Sequence, residues 1–216
     1  MKLKHSIFLI LIILALDQFS KIFVKINFFY GEDVTVIQGL FKILFIENEG
    51  MAWGTVIPGE YGKLVLTIFR IFAVAGIGYW LWISNKKEKS DYLLAAISLI
   101  FAGAVGNIID SVFYGVIFDQ STVTHLATFT SKGYGTWFHG KVVDMFYFPI
   151  WHGYLPEWVP IWGGNEFTFF NAIFNFADLA ISSGVGILIF FNKQAFGPDK
   201  YEGLTFSNKL DDDYFN

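Results

Sequence analysis

Residues 6–25 read SIFLILIILALDQFSKIFVK, and that stretch decides what kind of molecule the chain makes. As a helix rising about 1.5 Å per residue it is about 30 Å long, the thickness of a bilayer's hydrocarbon layer. Within one segment only a helix satisfies its own backbone hydrogen bonds there. Lys2 and Lys4 precede the apolar run, as in a cleavable signal peptide. However, Asp17 interrupts the run and no small-x-small cleavage site follows, so a retained helix is expected. Three more stretches pass the same test, at about 64–83, 92–109 and 167–191. The predicted fold class is an integral membrane protein, mainly α, with four transmembrane helices at about 6–25, 64–83, 92–109 and 167–191.

Composition agrees. Hydrophobic residues make up 54% of the 216 and charged residues 16%, too apolar a balance for an ordinary soluble surface. The net charge of -4 comes with no basic block that would follow a phosphate backbone, so no nucleic-acid partner is expected. Cysteine is absent, which removes disulfides, thiolate zinc sites and a cysteine nucleophile together. Many of the aromatic residues flank the apolar runs, where rings anchor helices at the membrane interface.

Basic residues near the helix ends set the orientation: Lys2 and Lys4, then Lys86, Lys87 and Lys89, then Lys193 and Lys200. These place both termini in the cytoplasm and turn the longer connections, 26–63 and 110–166, outward. In the first connection, Asp33–Ile37 and Phe41–Ile46 are β-prone and separated by Gln38-Gly39, which predicts a small surface sheet. The second, rich in glycine, threonine and aromatics, reads as ordered loop. Its stretch from Tyr134 to Trp162, together with residues near Asn48, is placed to close over a substrate. Residues 1–192 are expected to form a single membrane domain and 193–216 a polar cytoplasmic tail.

Ionisable groups inside a spanning helix cost several kcal/mol (about 2.5–3.5 on insertion scales) unless paired or facing water, so each is a candidate functional residue. Asp17 and Asp178 fall at similar depth in the outer half of the membrane, Asp110 and Asn107 end the third helix, and Asp144 follows in the outer segment. The plainer reading of Asp17 is a local pair with Lys21, four residues on. That of Asp178 is a packing carboxylate near Asn175, on a helix whose Ala177, Ala180 and Gly184 suit close contact. No His-Glu-x-x-His pattern and no Gly-x-Ser-x-Gly elbow occurs, so no metal site or serine nucleophile is expected. On these residues alone, a transporter or channel relaying protons or cations through Asp17, Asp110 and Asp178 competes with a hydrolase.

Five motifs, in order, resemble those of the bacterial lipoprotein signal peptidase family, also called type II signal peptidase. They are Leu16-Asp17-Gln18-Phe19-Ser20-Lys21, Asn48-Glu49-Gly50-Met51-Ala52-Trp53-Gly54 and Gly103-Ala104-Val105-Gly106-Asn107-Ile108-Ile109-Asp110. The last two are Gly140-Lys141-Val142-Val143-Asp144-Met145-Phe146 and Phe174-Asn175-Phe176-Ala177-Asp178. The resemblance implies a four-helix enzyme with an outer β-cradle. Such an enzyme cuts prolipoproteins immediately before a diacylglyceryl-modified cysteine, as a monomer without cofactors, in the bacterial cytoplasmic (inner) membrane with its active site toward the outer face. Its catalytic pair maps onto Asp144 and Asp178. Asp17, Lys21, Asn48, Gly50, Asn107, Asp110 and Asn175 map onto the shell that supports the site and contacts substrate or lipid.

The chain departs from the family pattern at two places inside the matched region. Ser111 stands where an arginine usually follows the third-motif aspartate, so the ion pair expected there must be replaced or lost. The segment from Gly115 to Gly140 is unusually long, and its start, Gly115-Val116-Ile117-Phe118-Asp119, imitates the catalytic motif. Asp119 is therefore a rival to Asp144, which is preferred because Val-Val-Asp-Met-Phe is the closer match.

Overall fold

The computed structural model describes residues 1–49 and 61–197. In chain order the elements are α1 (Leu3–Asn27), β1 (Asp33–Ile37), β2 (Phe41–Asn48), α2 (Gly62–Lys86) and α3 (Asp91–Ile109). A π-helical turn (Asp110–Tyr114) and a single α-turn, α4 (Gly115–Ile117), follow without a break. Then come β3 (Val142–Tyr147), β4 (Trp151–Tyr154), β5 (Glu166–Phe169), β6 (Ile173–Phe174), α5 (Phe176–Phe190) and α6 (Asn192–Phe196).

Among the described residues three helical stretches are long and apolar enough to cross a membrane: Leu3–Asn27, Gly62–Lys86 and Asp91–Ile117. The fourth apolar helix is shorter than the sequence suggested. Instead of 167–191 it covers Phe176–Phe190, 15 residues or about 22 Å. The Phe-rich run before it forms strands: β5 pairs with β4, and β6 pairs with β3. Hydropathy alone cannot separate a buried helix from a strand, and phenylalanine and threonine favour the pleated form. Two further expectations change for a related reason. The segment 110–166 is not only loop, since it carries β3, β4 and the first residue of β5, and Asp110 does not end its helix but opens the π-helical turn that continues it.

The chain divides into two compact units. One comprises Met1–Asp17, Ile68–Ile108 and the chain from Phe176 on. Its buried apolar cluster is Leu81, Leu93, Leu94, Ile97 and Ala195. Large side chains such as Phe72 and Phe190 project outward, as expected of helices whose solvent is lipid. Here α3 and α5 approach backbone to backbone, because a Cβ on Gly103 would lie 2.2 Å from the Ala177 carbonyl oxygen. Small residues provide the interface when neighbouring lipid is as apolar as any leucine.

The other unit, Gln18–Thr67 and Ile109–Asn175, gathers the end of α1, the start of α2, the end of α3 and all six strands. The predicted hairpin is present: β1 pairs antiparallel with β2 across Gln38-Gly39, and Gly39 takes the positive φ (73°) that such a turn needs. The sheet order is β1-β2-β3-β6, with Ile46 opposite Asp144 and Tyr147 opposite Ile173. Side chains alternate along a strand, so Val143 and Met145 share one face and join a core of Val24, Phe45, Tyr114, Phe118 and Ala127. Asp144 points to the opposite face and is still buried.

The unusually long segment 118–139 is fixed to this unit. Ala127 lies in the core, and the amides of Thr130, Tyr134 and Gly135 donate to the carbonyls of Ile117, Phe118 and Gly115. Replacing Gly103 with alanine should cost about 1–3 kcal/mol, because the added methyl meets a backbone oxygen that cannot step aside. Alanine at Gly76, which has open space around it, should be neutral. Thermal unfolding of both variants in detergent checks the contrast.

Candidate active site

Strand β3 sets Asp144 in place, and two amides fix its carboxylate. Asn48, the last residue of β2, donates from Nδ2 to Asp144 Oδ2. Asn175, just after β6, donates from Nδ2 to Asp144 Oδ1 at 2.7 Å and to the Val143 carbonyl at 3.2 Å. The antiparallel register makes the convergence possible, since β2 ends opposite Val142 and β6 opposite Phe146, so that the two strand ends bracket Asp144.

One residue earlier, the Val143 amide donates to Asp110 Oδ2 at 3.3 Å. The same oxygen meets Lys21 Nζ at 2.8 Å, and both side chains are completely buried. Gln18 Nε2 donates to Asp110 Oδ1 at 3.0 Å, while the Tyr114 hydroxyl donates to Gln18 Oε1 at 3.2 Å. A π-helical turn carries one more residue per hydrogen-bonded loop than an α-turn, which shifts the side chains that follow. Asp110 opens that turn and Tyr114 closes it. Lys21 from α1 is thus the cation paired with Asp110, beside Ser111. A charge buried without a partner would be far costlier than the pair.

The other unit holds the remaining motif residues. Asp17 is buried and accepts the Ala177 amide at 2.9 Å. That amide belongs to the first turn of α5, where backbone donors lack helical acceptors, so Asp17 acts as a cap supplied by another helix. Gly106 leaves room for it, as a Cβ there would come within 2.5 Å of Asp17 Oδ2. Asn107 Nδ2 donates to Asp178 Oδ1 at 3.0 Å. Asp178 is half-buried in the first turn of α5, where the helix dipole favours negative charge.

Asp119 is differently placed. It takes the Thr128 amide at 2.7 Å, the Thr128 hydroxyl at 2.9 Å and His125 Nε2 at 3.1 Å. These donors, the Thr128 amide foremost, hold its carboxyl down at about 2. Such a carboxylate ties a loop together, with three donors already on its two oxygens. Gly50, with Met51 to Gly54 of the same motif, lies outside the described residues. One residue was missed in the sequence: Arg70, the chain's sole arginine, half-buried on α2 and within electrostatic range of Asp178. It makes no hydrogen bond or ion pair among the described residues. A lone arginine inside a spanning stretch was the signal that could have found it.

Apolar helices of spanning length, a small antiparallel sheet and buried carboxylates held by amides together define a multi-pass membrane protein with a polar site. The signal peptidase (SPase) II family model matches residues 9–192. A lipoprotein signal peptidase of Porphyromonas gingivalis is 48% identical over 183 residues, covering 84% of this chain and 79% of that one. One from Amoebophilus asiaticus is 37% identical over 182 residues, covering 83% and 73%. A bacterial membrane enzyme structure determined at 2.3 Å shares the fold, with a TM-score of 0.56 at 22% identity over 92% of this chain and 94% of that one. The chain belongs to the signal peptidase II family. The transporter or channel reading has no support from these comparisons.

Two outcomes are expected at this site. Lys21→Met should destabilise the protein by about 3–5 kcal/mol, as it strands a buried carboxylate. Lys21→Met with Asp110→Asn should lose much less than the sum of the single changes, which a double-mutant cycle of thermal unfolding measures. For Asp119 the folded pKa is depressed, so its contribution is complete above the ordinary value of 3.8 and lost as pH falls through about 2. Hydrogen exchange at the Thr128 amide should stay protected at pH 4 and accelerate, relative to the intrinsic rate, toward pH 2.

Proposed function

We propose that the protein is an intramembrane aspartic endopeptidase that removes the signal peptide from diacylglyceryl-modified prolipoproteins, cutting immediately before the lipidated cysteine. The observation that carries this reading is the convergence of Asn48 and Asn175 on Asp144. Two amides from separate motifs orient one carboxylate by hydrogen bonding, without adding charge. Asp178 is the second member of the pair. Its carboxylate is likewise held by an amide, that of Asn107. Chain continuity supports the pairing: Asp178 follows Asn175 by three residues, so its Cα starts no more than about 11 Å from that of Asn175.

A pair of carboxylates sharing one proton contains a base and an acid together. The ionised member takes a proton from water as the water oxygen adds to the scissile carbonyl carbon, and the protonated member hydrogen-bonds the carbonyl oxygen. The tetrahedral adduct collapses with loss of the C–N bond, and the departing nitrogen gains a proton to become the free amine of the lipidated cysteine. No covalent enzyme intermediate forms. Asp17, Lys21, Asp110, Asn107 and Gly50 shape this site rather than react.

The acyl chains of such a substrate stay in the bilayer, so a site at membrane depth meets the scissile bond without drawing lipid into water. The distribution of lysines favours cytoplasmic termini and an outward-facing site.

The test uses purified protein in detergent or lipid with a lipid-modified precursor. Asp144→Asn and Asp178→Asn should each lower turnover by about 10²–10⁴-fold while leaving thermal stability near normal. Asp119→Asn should remain near wild type. Undiminished cleavage by both variants would remove the dyad.

A further inference from the structure

The β4–β5 hairpin has a construction that neither the site nor the family motifs use. Trp151 pairs with Phe169 and Gly153 with Phe167, so these four positions share one face of a two-stranded sheet. A Cβ on Gly153 would lie 2.8 Å from the Trp151 indole, which shows that the ring lies across the glycine. Its centroid is 6.3 Å from that of Phe167. Glycine therefore makes room for a laid-down aromatic surface on this face.

The loop closing the hairpin is ordered by its own backbone: Leu155 donates to Asn165, Gly164 to Leu155 and Gly163 to Val159. On it Trp158 is 81% exposed, Ile161 88% and Trp162 62%. Ile161 also takes a positive φ of 70°, a conformation a β-branched residue rarely adopts. A fixed tip that presents two indoles and a strained isoleucine outward is an apolar surface made for contact.

Two observations identify what it contacts. The hairpin is rooted where β3 and β6 pair, at Tyr147 and Ile173, and the chain enters α5 three residues later at Phe176. α5 opens the last apolar run at Phe176, and after Phe191 the chain continues as α6 (Asn192–Phe196). The backbone just before it is paired, β6 on β3, as backbone at a membrane boundary has to be. In addition, no lysine or arginine occurs between Lys141 and Lys193, while Glu157 and Glu166 lie in the hairpin. The hairpin itself therefore offers no cation to acidic headgroups, which leaves the affinity of tryptophan and its neighbours for the headgroup–acyl boundary.

We infer that the β4–β5 hairpin is immersed in the lipid interface on the side of the membrane where the sheet lies. Trp158, Ile161 and Trp162 enter the leaflet, and the aromatic face of Trp151, Phe167 and Phe169 rests against lipid. The partner is the bilayer itself, irrespective of its acidic-lipid content. This separates the hairpin from any role in covering a bound peptide.

The chain's lack of cysteine makes the test direct. Nitroxide labels are placed on full-length Trp158→Cys, Ile161→Cys and Ser131→Cys, the last an exposed position in the 118–139 segment. Each protein is reconstituted in phosphatidylcholine vesicles with and without phosphatidylglycerol. Collision rates are read with oxygen, which partitions into lipid, and with a water-soluble nickel chelate. At 158 and 161 oxygen should dominate in both lipid compositions, whereas at 131 the ratio should invert.

Equal nickel access at all three positions would overturn the proposal. So would shielding of 158 and 161 from both reagents, which would place them against protein, either another segment or a second copy. Quenching of native fluorescence by brominated lipid, reduced in Trp158→Phe with Trp162→Phe, gives a second readout without labels. Neither measurement depends on whether the protein cleaves anything.

Discussion

A single carboxylate, that of Asp110, joins three parts of one unit that the chain brings in from far apart. It accepts from Lys21 and Gln18 at the end of α1, sits on the helical turn that follows α3, and accepts the amide of Val143 in β3. Asp144, the next residue in that strand, inherits its position from this bond. Charge neutralisation and strand placement are therefore one event: removing the lysine leaves a desolvated anion, and removing the anion releases the strand. A buried ion pair is weak evidence for net stability, but this one defines where β3 lies relative to the helix ends in the same unit.

Amides do the finer work. Asn48 and Asn175 reach Asp144 from opposite sides of β3, and Asn107 reaches Asp178 from α3. An amide donates a directed hydrogen bond while leaving the charge of the carboxylate untouched, unlike a lysine or arginine. Asp119 shows the contrast, since two threonine donors and a histidine hold it ionised and occupied in its loop. The imitation motif Gly115–Asp119 copies the letters of the Asp144 motif without its flanking strands, and only the strands bring the asparagines.

Much of this was legible in the sequence. Residues 6–25, 64–83 and 92–109 fall inside helices long enough to cross a bilayer, and Gln38-Gly39 marks the β1–β2 turn. The run 167–175 was not, because phenylalanine and threonine satisfy a hydropathy window equally well as helix or strand, and only pairing with β4 and β3 decides. Four-residue spacing places Asp17 and Lys21 on one helical face, and that is as far as the local pattern reaches. The structure adds Asp110 for Lys21 and the Ala177 amide for Asp17, both long-range contacts that no local pattern encodes. Arg70 escaped notice because motif reading passes over a single residue that belongs to none.

The capping of α5 by Asp17 bears on how the protein is made. Asp17 and Ala177 are separated by 160 positions. At about 5–20 residues per second, roughly 8 to 32 seconds of synthesis pass between the carboxylate and the amide that it caps. The first helix therefore completes this contact only after the last one has been synthesised.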